Sequence, residues 1–252
     1  VPSLIPISDA NPTRRTPFVT IALIVANIIA FFRQPGLGED PVASSTYYVD
    51  TAPIPCQLQD ACPRAVDFGL PGGPLEIPQR GLGSFMIAVL FSLFLHAGFL
   101  HIAGNMLFLW IFGNNVEDHL GHFRYLLFYL AGGIVAAFAH IFTHLADAAP
   151  LVGASGAVAA VMGAYLLLFP HARVKVLIPI FILWTVVQLS AWLVLGLWFL
   201  YQFLIGAQEL TGTTGIAWLA HVGGFVFGLV GIFILGGRPH ERTPTWRSSW
   251  RY

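Results

Sequence analysis

From Phe18 onward the chain is a succession of apolar runs, and their lengths limit what it can become. A helix crosses a bilayer core with roughly 20 apolar residues. Six runs approach or exceed that length: residues 18–32, 85–112, 125–146, 153–169, 176–205 and 215–235. Only 10% of the 252 residues are charged, whereas a soluble domain carries about 25%. The expected fold is therefore an all-α membrane protein, a bundle of six transmembrane helices. The first run is short enough for the apolar core of a signal peptide. Pro35-Gly36-Leu37-Gly38 follows it without a small-residue cleavage pattern, so a span is expected.

Charge assigns the sides. Arg14 and Arg15 precede the first run, Arg124 lies between the second and third, and Arg173 and Lys175 lie between the fourth and fifth. Arg238, Arg242, Arg247 and Arg251 follow the sixth. Six alternating spans put all of these on one side, which reads as cytoplasmic. The opposite side receives Glu39, Asp40, Asp50, Asp60, Asp67, Glu76, Asp147 and Glu209, with only Arg33, Arg64 and Arg80 opposing them. The expected organisation is a cytoplasmic segment 1–17, a membrane domain 18–236 and a basic cytoplasmic tail 237–252. The expected location is a plasma membrane of the bacterial inner-membrane type. The tail's mixture of Arg and Trp suits an anchor at lipid headgroups, and no nucleic-acid partner is expected. The outer segment 34–83 is rich in Pro and Gly and reads as a long loop with little regular structure. It holds both cysteines, Cys56 and Cys62; a disulfide between them is expected, with two free thiols the alternative.

Polar groups inside membrane spans are costly and are functional candidates. Here they are His96, His101, Asn105, His140, His144, Ser155, Gln188, Ser190 and His221. At 1.5 Å per residue, Ser155 lies roughly 21 Å above Phe169, and His221 roughly 21 Å above Leu235. His101 lies roughly 17 Å above Phe112, with Asn105 one turn deeper. A serine and a histidine from separate helices thus share one level.

Ser155 stands in "LVGASGAV", between glycines at the start of an apolar run. Gly153 frees the backbone at the helix entrance, and Gly156 admits a close neighbour. In a first helical turn the N–H groups lack intrahelical partners, which makes a ready oxyanion site. A serine nucleophile also needs a base, and His221 is the candidate. Gly224-x-x-x-Gly228 gives its helix a face for close packing. The residues alone also allow blander roles. Ser155 suits helix packing, His221 suits a bundle hydrogen bond, and His101 with Asn105 suits a bridge between helices. His140-x-x-x-His144 has metal-like spacing but no nearby carboxylate or cysteine, so no metal site is expected.

"LHAGFLHIAGNMLFLWIFG", then "GASG", then "AHVGGFVFG" resembles the rhomboid intramembrane serine proteases. The resemblance runs from about Phe85 to Leu235, three motifs in order, and the six-span layout is similar to the bacterial form. It implies that Ser155 is the nucleophile and His221 its general base, a dyad without an acid. It implies that His101, Asn105 and Gly153, the first glycine of the serine motif, hold the oxyanion with the Ser155 N–H, and that His96 is structural. Ile87 and Ala88 stand where some members carry a Trp-Arg pair, and Ala159 where some carry a tyrosine that packs on the histidine. The expected function is hydrolysis of a peptide bond in or beside the transmembrane helix of a membrane-protein substrate, without a cofactor. The resemblance implies that the substrate arrives between spans two and five. The fifth run carries Trp184, Trp192, Trp198, Phe199 and Phe203, and the outer three, Trp198, Phe199 and Phe203, are the expected gate. A catalytically silent rhomboid-like protein that binds transmembrane clients is the alternative. A transporter would want internal repeats and paired ionisable groups, and neither is seen.

Overall fold

The computed structural model describes residues 5–36, 40–180, 183–209 and 217–236. Glu39 and the basic tail 237–252 lie outside the described residues. In chain order the elements are β1 (Ile5–Asp9), α1 (Phe18–Arg33), α2 (Pro41–Thr51), a 3-10 turn (Pro55–Gln59), β2 (Ala65–Val66), β3 (Leu75–Glu76), α3 (Leu82–Ser92) and α4 (Phe99–Leu120). Then come α5 (His122–Ile141), α6 (Ser155–Leu168), β4 (Arg173–Ile180), β5 (Leu183–Ser190), α7 (Ala191–Glu209) and α8 (Trp218–Gly236). The chain is mostly helical, but two small sheets correct the all-α expectation. Among the described residues, α5 and residues Trp218–Leu235 of α8 are long and apolar enough to cross a bilayer. The apolar helices Phe18–Arg33, Leu82–Ser92, Ser155–Leu168 and Ala191–Leu204 are shorter.

Helix α6 is the hub. Every residue from Gly156 to Tyr165 is buried, with α4, α5 and α8 packed around it. Small residues permit this: a Cβ on Gly224 or Gly228 would fall on the carbonyl oxygen of Gly156 or Ala160. The backbones of α6 and α8 therefore touch directly, as the Gly224-x-x-x-Gly228 spacing predicts. Helix α1 presents Thr20, Leu23, Asn27 and Phe31 as a buried stripe. Its first turn is held by Glu117, 1% exposed, whose carboxylate accepts from the Val19 and Thr20 N–H groups at 2.8 and 2.7 Å. Those N–H groups have no intrahelical partner, so a buried carboxylate at this end is well placed.

The second apolar run is broken. Residues 93–98 separate α3 from α4, and their polar backbone finds partners in the preceding lobe. Gln34 exchanges two hydrogen bonds with the His96 backbone, at 2.8 and 2.9 Å, and the Tyr48 hydroxyl donates to the same carbonyl. That satisfies a bend which buried backbone could not otherwise tolerate.

The fifth run is only partly helical. Its first half forms the antiparallel hairpin β4–β5, with β1 on the outer edge of β4 in the order β1-β4-β5. β-branched Val174 and Val176 turn inward from this sheet. Gln188 and Ser190 pair with Lys175 and Arg173 in the hairpin, so they are not groups within a span. At the other edge Asp9 accepts from Tyr165 and Asn115 at 2.7 and 2.9 Å. Burial pushes the Asp9 carboxyl above its ordinary value, with the Tyr165 hydroxyl opposing.

The described part of segment 34–83 is more ordered than its composition implies. Asp40 caps α2 by accepting from Val42 and Ala43, and Pro41 occupies the first turn. Val49, Ile54, Cys56 and Ile77 form a small core of their own. The Arg80 guanidinium donates to the carbonyls of Val49, Asp50 and Ala52 and to Gln57. Cys56 and Cys62 form a disulfide with a Cα separation of 4.8 Å. Intact protein should resist alkylation at both cysteines until a reductant is added. Because the closed loop is short, reduction should loosen this lobe while lowering the thermal midpoint little. Quantitative alkylation without reductant would contradict the pairing.

Candidate active site

The loop before α6 sets the serine. Gly153 has φ +131°, which side chains rarely adopt, and its N–H donates to the Ser92 carbonyl at 3.0 Å. This pins the loop against the end of α3 and starts the helix at Ser155. The lobe contributes too: Leu151 donates to Pro53, and Cys56 donates to Asp147.

Ser155 Oγ lies 2.8 Å from His221 Nε2. The two side chains belong to α6 and α8, whose glycine contact brings them within reach. His221 Nδ1 lies 2.7 Å from Oε1 of Gln202, a residue of α7 only 4% exposed. The Trp198 ring stands 6.0 Å from the imidazole, tilted by 45°. The aromatic neighbour of His221 thus comes from α7, and Ala159 is buried in the bundle.

His101 packs over Gly153: a Cβ there would lie 2.9 Å from His101 Cε1 and 3.0 Å from its Nε2. Its Nδ1 accepts from the Ala97 N–H at 3.4 Å, so in a neutral ring the proton sits on Nε2. Asn105 is 8% exposed, and its Nδ2 has no hydrogen-bond partner among the described residues. A buried donor without a partner is costly, and such groups call for an explanation. Both residues line one cavity of about 580 Å³ with Ser155, His221, Trp198 and Gln202.

Five residues singled out from sequence, Ser155, His221, His101, Asn105 and Gly153, therefore meet. His96 lies beside His101 with ring centroids 5.1 Å apart, held through its backbone. His140 and His144 stack at 4.4 Å and also line the cavity. Among the described residues, no three His, Cys, Asp or Glu side chains converge as metal ligands. Of the aromatic set, Trp184 belongs to β5, and Phe199 packs on Phe225 of α8 at 4.6 Å. Trp192 is exposed at the start of α7, and Phe203 packs on Phe199 and Trp218; Trp198 is the member that lines the cavity. Gln202 was not among the sequence candidates. An amide inside the apolar stretch "WFLYQFLIG" is the signal that could have found it.

A hydroxyl bonded to an imidazole, beside buried N–H donors, is an arrangement that serine hydrolases use. Residues 84–238 match the rhomboid domain, more than half of the chain, and the protein belongs to the rhomboid family. Among its relatives is the mitochondrial Rhomboid protein 1 of Saccharomyces cerevisiae, 34% identical over 100 residues, which are 38% of this chain and 29% of the yeast protein. Rhomboid protease GluP of Bacillus subtilis is 43% identical over 72 residues, 29% of this chain and 14% of that protein. The mitochondrial Presenilin-associated rhomboid-like protein of Homo sapiens is 31% identical over 96 residues, 37% of this chain and 25% of the relative. The matched stretches thus take in less than a third of each relative.

Proposed function

We propose that this protein is an intramembrane serine protease that cleaves membrane-protein substrates in or beside a transmembrane helix. The observation that carries the reading is the 2.8 Å contact between Ser155 Oγ and His221 Nε2. In this reading His221 Nε2 takes the Ser155 proton as Oγ attacks the peptide carbonyl. The oxyanion is held by the Ser155 N–H at the start of α6, by His101 Nε2–H and by Asn105 Nδ2, which has no hydrogen-bond partner among the described residues. The imidazolium then gives its proton to the leaving nitrogen, and water hydrolyses the acyl-enzyme by the same two transfers in turn. Family membership supports the reading, and one relative is itself named a protease.

Six crossings fit the site: α1, α3 with α4, α5, α6, α7 and α8, with both termini cytoplasmic in a bacterial plasma membrane. The basic residues before α1, at the start of α5 and in β4 then share the inner side. A substrate helix must unwind locally, since its carbonyls are already hydrogen-bonded. Weak helix formers near the cleaved bond are therefore expected.

The test is cleavage of a reconstituted transmembrane substrate by wild type and Ser155→Ala. The proposal expects product from the first alone. Tight binding by wild type without cleavage of any transmembrane substrate would favour a silent client-binding protein. The oxyanion assignment adds a graded result. Asn105→Ala or His101→Ala should lower kcat by on the order of 10²–10³ and change KM much less. A change in KM alone would make that residue a docking group.

A further inference from the structure

We infer that Gln202 is the third member of the site, a positioning residue that holds His221 in the tautomer and orientation needed to receive the Ser155 proton. The inference rests on the protease reading for its catalytic meaning, but its geometry stands separately.

Gln202 lies one turn beyond Trp198 on α7, and both face the cavity. A buried amide in apolar surroundings is costly unless it is bonded. Here its carbonyl oxygen meets His221 Nδ1 at 2.7 Å. An amide oxygen only accepts, so this bond requires Nδ1 to carry a proton. The neutral ring then has a bare Nε2, and Nε2 is the atom 2.8 Å from Ser155 Oγ. The other tautomer would set the Nδ1 lone pair against the Gln202 oxygen. One contact thereby fixes the ring's proton on the far side and leaves the near nitrogen free to act as base.

The same bond helps later in the reaction. When Nε2 takes the serine proton the ring becomes cationic, and Nδ1–H···Oε1 becomes charge-assisted and stronger. The amide takes no proton itself. A carboxylate at this place would bring a full charge into an apolar bundle, which is far more costly to bury. The amide supplies the acceptor without that charge. Trp198, against the ring, limits its remaining freedom to tilt.

A purely structural bond between α7 and α8 would involve the same atoms, so the test must read the imidazole itself. Histidine 15N spectra of the full chain in lipid would report which nitrogen of His221 is protonated. The signal is identified by its loss in His221→Gln. Wild type and Ser155→Ala should both show the proton on Nδ1, and Gln202→Leu should show a mixture of tautomers. With a transmembrane substrate, Gln202→Leu should lose on the order of tenfold to a hundredfold in kcat with KM nearly constant. Gln202→Glu keeps an acceptor oxygen whether or not it is protonated, and should retain most of the turnover. A proton on Nε2 in the wild type would overturn the inference, as would a Gln202→Leu variant with unchanged tautomer and kcat. If wild type cleaves nothing, the protease reading fails and the tautomer spectra alone decide the role of Gln202.

Discussion

His221→Ala should lower kcat for a transmembrane substrate by on the order of 10⁴-fold or more. Without the imidazole, the Ser155 hydroxyl keeps its proton and is a poor nucleophile at neutral pH. His221 Nε2 is the nitrogen bonded to Ser155 Oγ, whereas His101 Nδ1 accepts from the Ala97 N–H. The substitution also strands the Gln202 oxygen, which costs about 1–3 kcal/mol of stability. A loss of stability no larger than that, with helical content retained, would assign the lost rate to chemistry. Turnover within tenfold of wild type would remove His221 from the role of base.

Gly224→Val should be the most damaging change remote from the reacting atoms. The added Cβ would fall on the Gly156 carbonyl oxygen, which is backbone and has no rotamer with which to yield. Overpacking costs about 1–3 kcal/mol even where side chains can adjust, so a loss of about 3 kcal/mol or more is expected here. Function should suffer further. Gly156 adjoins Ser155, and Gly224 lies one turn after His221, so prising the helices apart there lengthens the contact between hydroxyl and imidazole. Gly228→Val, set against the Ala160 carbonyl one turn further along the seam, should destabilise comparably. Gly196→Ala is the control: nothing lies within 4 Å of a Cβ there. Denaturant unfolding in mixed micelles, run beside the cleavage assay, reads both effects. Full activity in Gly224→Val would mean that the seam does not position the site.

Helices α1, α5, α6 and α8 were legible because each is a continuous apolar run. Residues 18–32 against Phe18–Arg33, and 153–169 against Ser155–Leu168, differ only at frayed ends. Other features needed a different reading. A run of 30 residues at 176–205 is longer than one crossing requires, and Pro179 sits inside it. Those two facts, with the cluster of valines, are the mark of the β4–β5 hairpin. In segment 34–83, Pro and Gly hid an Asp40-Pro41 helix start that capping chemistry makes readable.

The site divides the same way. Ser155 and His221 could be paired because glycines mark both helices and because depth along a helix follows from counting residues. Gln202 could not be paired, since depth says nothing of which face a residue presents to its neighbours. Gln188, the glutamine that the sequence did single out, lies in a hairpin instead. The aromatic residues of α7 show the same limit: Trp198 faces the cavity, whereas Phe199, the next residue, packs on Phe225. Rotation about a helix axis is a tertiary property, and a run that is apolar all round carries no stripe from which to read it.

The central claim is that Ser155 is a nucleophile activated by His221, and the most direct measurement is covalent capture. A fluorophosphonate should react once per chain in lipid, and peptide mapping should place the adduct on Ser155. Ser155→Ala should take up no label, and His221→Ala should label far more slowly than wild type. An adduct at another residue, or undiminished labelling of Ser155→Ala, would contradict the assignment.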